Sequence, residues 1–105
     1  MSEEKKETTL EPGKIRDLGY YFLNLLSAKA WQYMGLLAHP EDGQIHVDLK
    51  EAKLAIDLYA LILRGIKEEM TPGETNELET NLSNLQLNFV QKKKETDEQQ
   101  ISKSE

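Results

Sequence analysis

The chain has no cysteine. That excludes a disulfide framework, a thiolate nucleophile and any cysteine-ligated metal, and it suits a reducing compartment. Positive charge is also scarce: 13 Lys and Arg against 19 Asp and Glu give a formal net charge of −6. Binding along a phosphate backbone needs clustered Lys and Arg to release counterions, so nucleic acid is not an expected partner. The charged start Met1-Ser2-Glu3-Glu4-Lys5-Lys6-Glu7 carries no apolar core resembling a signal peptide, and the expected compartment is the cytoplasm. No Gly-rich phosphate loop, nucleophile elbow or metalloprotease helix motif occurs, so neither an enzyme nor a bound cofactor is expected.

What remains is helical pattern. Charged residues make up 30% and hydrophobic residues 38% of the 105 positions, a balance that fits a small helical domain better than a membrane span or a disordered chain. Periodicity predicts an all-α, three-helix unit with helices over about 14–38, 48–69 and 72–93. One helical domain over 14–93 then lies between flexible tails at 1–13 and 94–105, both rich in charged and polar residues.

In the first helix Ile15, Leu18, Phe22, Leu25, Leu26, Ala30, Tyr33, Leu36 and Leu37 recur at helical spacing. They form the face expected to meet the central helix. Tyr20, Asn24, Ser27 and Trp31 form a separate column, spaced four, three and four, on roughly the opposite side. The long stretch Gly19 to Ala38 carries one charge, Lys29. It still fails as a transmembrane span, because Asn24, Lys29 and Gln32 sit mid-segment and a central Lys costs roughly 2.5–3.5 kcal/mol on insertion scales.

The central helix begins at Asp48, an N-cap with Glu51 three residues on in a variant capping box. Leu49, Ala52, Ile56, Tyr59, Leu63 and Ile66 form its main stripe, and Leu54, Leu58 and Leu61 a second. Thr71-Pro72-Gly73-Glu74 restarts the chain as a third helix through a capping box with Pro at the first helical position. That helix carries a narrow stripe, Leu78, Leu82, Leu85 and Phe89.

Two sets of residues are candidates for function. The loop from His39 to Asp48 holds two imidazoles and three carboxylates, so His39, His46 and Asp48 are weak metal candidates and the loop a possible small-molecule site. Against this, Asp42 belongs to a turn and Asp48 to a cap. The second set follows from geometry. One domain this small cannot readily cover two stripes on two helices, so Tyr20, Trp31, Leu54, Leu58 and Leu61 are expected at an interface. The expected assembly is a homo-oligomer, with a dimer favoured, or a complex with an unidentified protein.

The order of Gly35-Leu36, Pro40-x-x-Gly43, Val47-Asp48-Leu49-x-x-Ala52, Ile56-Asp57-Leu58, Thr71-Pro72 and Leu78, Leu82, Leu85, Phe89-Val90 resembles a small bacterial helical family, domain of unknown function 1844, over roughly Leu18 to Gln91. Between Arg64 and Met70 the chain departs from that family's pattern, which bears on the joint before the third helix. The resemblance implies a bacterial cytoplasmic protein and transfers no active site.

Overall fold

Three helices account for the described residues, 13–104 of the computed structural model, whose side chains are described as far as Glu98: α1 Ile15–Tyr33, α2 Leu49–Ile66 and α3 Pro72–Ser104. A 3-10 turn, Lys67–Glu69, joins α2 to α3. The expected leader lies, Gly13 apart, outside the described residues, as does Glu105.

Helix α1 stops at Tyr33 rather than near residue 38, and the cause is Gly35. Its N–H donates to the Gln32 carbonyl (3.0 Å) and the Leu36 N–H to the Trp31 carbonyl (3.0 Å), the pair of bonds that closes a helix through a left-handed glycine. Gly35 has φ +84, and a Cβ there would lie 2.7 Å from Val47 Cγ2, so both conformation and space demand glycine. The following loop is closed by Gly43 N–H to the His39 carbonyl (2.7 Å) and His39 N–H to the Gln44 carbonyl (2.8 Å). It returns to α1 where the Asp48 N–H donates to the Tyr33 carbonyl (2.8 Å). The Asp48 carboxylate caps α2 by accepting from the Glu51 N–H (3.2 Å). The reciprocal arm of a capping box is not made, because the Asp48 N–H is already used.

At the start of α3 the box is complete. The Thr71 N–H donates to Glu74 Oε1 (2.9 Å), and the Glu74 N–H to Thr71 Oγ1 (3.1 Å). The helix then runs past the expected end near 93 to Ser104. After Gly73 no glycine or proline interrupts it. Side-chain pairs one turn apart, Gln91 with Glu95 (3.1 Å) and Lys93 with Asp97 (3.5 Å), lie along the extension and support it. Phe89 is the last residue of α3 packed against the core.

The core is built mainly on α2, through Ala52, Ala55, Ile56, Tyr59, Leu63 and Ile66, as its main stripe implied. From α1 come Leu23, Ala30 and Met34, and from α3 Leu78 and Leu85. At the centre, the Tyr59 hydroxyl donates to the Leu78 carbonyl (3.1 Å) and accepts from Asn81 Nδ2 (3.1 Å), which also donates to Ser27 Oγ (3.0 Å). The Asn81 amide thus links the Tyr59 phenol of α2 to Ser27 of α1. Burial raises the Tyr59 pKa, with the Asn81 bond opposing, so the hydroxyl stays a neutral donor.

Helix α1 is rotated relative to the expected packing. Leu26, Ala30 and Tyr33 of the expected face do pack on the core, but Ile15, Leu18, Phe22, Leu25, Leu36 and Leu37 are exposed, while Leu23 is fully buried and Tyr20 and Trp31 are half-buried against the core. Gly19 permits this rotation, since a Cβ there would come within 3.1 Å of Ile66. The bond from Asn81 to Ser27 draws the Tyr20–Trp31 side toward α3. At the other end, the Arg16 guanidinium donates to the Glu69 carbonyl (2.9 Å) and to Glu74 Oε2 (3.0 Å), fastening α1 to the joint between α2 and α3.

Two predictions follow from these contacts. Tyr59→Phe keeps the ring and removes the hydroxyl, and is expected to cost about 1 kcal/mol in denaturant unfolding. The Glu74 carboxyl is held below its ordinary 4.5 by the Thr71 N–H and then by Arg16. Its contribution to stability is therefore fully present above that unfolded-state value and lost as pH falls through the lower folded value. Thermal melts of wild type and Glu74→Gln should differ at neutral pH and converge in acid; a constant difference would reject this assignment.

Candidate functional site

Among the described residues, helix α3 covers one side of the α1–α2 hairpin and leaves the other bare. On that bare side α1 presents Leu18, Phe22 and Leu25, which are 42–47% exposed, and α2 presents Leu54, Leu58 and Leu61, 39–55% exposed. Each set has the spacing i, i+4, i+7, which places it along one helix face. Ile62, half-buried, belongs to the same side of α2, and Tyr21 and Ile15 extend the surface along α1. The Tyr21 and Phe22 rings lie 5.9 Å apart. Between the helices runs a shallow groove of about 240 Å³ lined by Leu26, Lys29, Tyr33, Glu51, Leu54, Ala55 and Leu58. Its charges are Lys29 and Glu51, one of each sign, and Lys29 is bonded to Glu41 (2.6 Å).

This surface joins residues that the sequence kept apart. Leu54, Leu58 and Leu61 stand in solvent on α2, as their separate stripe suggested, but the α1 residues across the groove from Leu54 and Leu58 are Leu26, Lys29 and Tyr33, with Leu18, Phe22 and Leu25 continuing that side toward the start of α1, rather than Tyr20 and Trp31. Those two aromatics pack against the protein's own core. The signal for this arrangement was present in Gly19, a small residue that lets α1 approach Ile62 and Ile66 of α2 closely. A count of apolar residues by face gives such positions little weight.

In the loop, each metal candidate is already engaged. His39 is buried, with its ring edge-on to Tyr33 at 4.6 Å between centroids and Nε2 3.2 Å from the His46 carbonyl oxygen. His46 Nε2 lies 2.6 Å from Asp42 Oδ2, a bond that holds the Asp42 carboxyl below its ordinary pKa, with help from the Gln44 N–H. Lys29 does the same for Glu41. Asp48 is the cap of α2. Among the described residues no group of three or more His, Cys, Asp or Glu side chains is arranged to hold a metal ion. The recess of about 370 Å³ beside the loop is lined by Lys29, Tyr33, His39, Glu41, Asp42 and His46, whose charged groups bond to one another. These bonds tie the loop to the end of α1.

No described helix is long and apolar enough to cross a membrane. Residues 18–91 match a family described as Domain of unknown function (DUF1844). No curated protein and no solved structure matches the chain.

Proposed function

Because the chain belongs to the DUF1844 family, whose description assigns no activity, we propose from its geometry that it is a non-enzymatic helical interaction module that binds protein through the bare face of the α1–α2 hairpin. The observation that carries this reading is the set Leu18, Phe22, Leu25, Leu54, Leu58 and Leu61, all exposed on one side of two adjacent helices. Scattered exposed leucines are ordinary; a contiguous apolar surface beyond a few hundred Å² on a small protein marks a place where something docks. Covering it would contribute about 25 cal/mol per Å² before the costs of association are subtracted. Phe22 supplies the aromatic anchor that such interfaces favour. Tyr20 and Trp31 act behind this surface by holding α1 in the rotation that exposes it.

The setting we assign is the bacterial cytoplasm, as the sequence motifs imply, and a chain without cysteine is chemically suited to it. The loop from His39 to Asp48 serves in this reading as the turn that fixes the spacing of the two helices.

A photo-crosslinking amino acid placed at Phe22 or at Leu58 in the full chain, produced in cells, tests the proposal. Irradiation is expected to give covalent protein adducts from both positions and none from Asn76, which lies exposed on α3. If Phe22 and Leu58 give no adduct, the reading fails.

A further inference from the structure

Resting on the reading of this face as an interaction surface, we infer that its occupant is a second copy of the same chain, docked hairpin to hairpin so that two α1–α2 layers enclose a shared core. Width is the first argument. The exposed stripes lie on two adjacent helices, and a helix is about 10 Å across. A single foreign helix would fill the groove between them but leave their outer edges wet. A second hairpin has the same width, the same length and the same apolar character.

The extent of the surface is the second argument. Six large side chains, each 39–55% exposed, with Ile15 and Tyr21 at the margin, make an apolar patch spread over two helices, the kind of extended surface that a standard stable interface of ~800 Å² per partner requires. Charge is the third. A chain of net charge −6 repels its own copies over most of its surface. The bare face avoids this, because its stripes are uncharged and the groove's two charges, Lys29 and Glu51, are of opposite sign. An isologous contact requires a patch that complements itself, and an uncharged apolar patch does so.

Gly65 fits the same picture. It continues the Leu54, Leu58, Leu61 stripe toward the end of α2, and a Cβ there would meet nothing within 4 Å. Among the described residues nothing requires glycine at that exposed position, whereas a helix of a second copy can approach closely over it.

Light scattering on a sizing column decides the matter with the full, unmodified chain. At high micromolar concentration the expected mass is twice the 12.1 kDa of one chain. Replacing Phe22→Asp and Leu58→Asp together is expected to halve that mass while preserving helical circular dichroism and a cooperative melt, since both positions are exposed within one chain. Because the chain has no cysteine, Leu54→Cys and Leu58→Cys provide an independent check: mild oxidation is expected to trap covalent dimers from at least one of these variants and none from Asn76→Cys. Single-chain mass for the wild type, or a dimer that survives the double aspartate change, overturns the inference. Photo-adducts from Phe22 and Leu58 whose mass is not that of two chains would also overturn it, while leaving the broader interaction reading standing; no adducts at all would remove both.

Discussion

One hydrogen-bonded cluster around a buried phenol links the three helices of this protein. Tyr59, at the middle of the most apolar helix, donates to the backbone of α3 and accepts from Asn81, whose other amide hydrogen reaches Ser27 on α1. A buried hydroxyl left unpaired would cost about 1–3 kcal/mol, so α3 is held on α2, and the Asn81 bond to Ser27 favours one rotation of α1. That rotation places Tyr20 and Trp31 on the side closed by α3. It leaves Leu18, Phe22 and Leu25 of α1 and Leu54, Leu58 and Leu61 of α2 exposed on the open side, flanking the groove lined by Leu26 and Tyr33.

Much of this architecture was legible in the sequence. The main stripe of α2, the caps at Asp48 and Thr71, the reciprocal box with Glu74 and the narrow stripe of α3 all follow from local rules of spacing and hydrogen bonding, and each is present. The rotation of α1 was not legible, for a physical reason. That helix is apolar on several sides, so counting apolar residues cannot choose among its faces. The choice is made by a small residue, Gly19, and by polar ones, Ser27 and Asn81, that a hydrophobic pattern discounts. Asn81 reads as a weak helix former, yet it supplies both bonds that orient its neighbours.

The two ends of helices show the same division. Gly35 carried a readable stop signal, but the apolar Leu36 and Leu37 beyond it suggested continuation; in the structure they follow a closed helix end and remain in solvent. In α3 the charged composition after Lys94 suggested a tail, whereas paired charges one turn apart accompany a continued helix. For the candidate site, the α2 half was visible in the sequence as a second stripe. The α1 half emerged only once the rotation was known. The loop histidines, which drew attention as possible ligands, are absorbed by hydrogen bonds to Asp42 and the loop backbone and by the edge-on contact of His39 with the Tyr33 ring.

The central claim is that the bare face of the α1–α2 hairpin is covered by a second copy. Hydroxyl-radical footprinting across a dilution series tests it directly, with Tyr59, 1% exposed, as the internal reference for a permanently covered ring. The account predicts that Tyr21 and Phe22 are protected at high concentration and become reactive on dilution while Tyr59 stays silent throughout. Equal reactivity of Tyr21 and Phe22 at every concentration would contradict it.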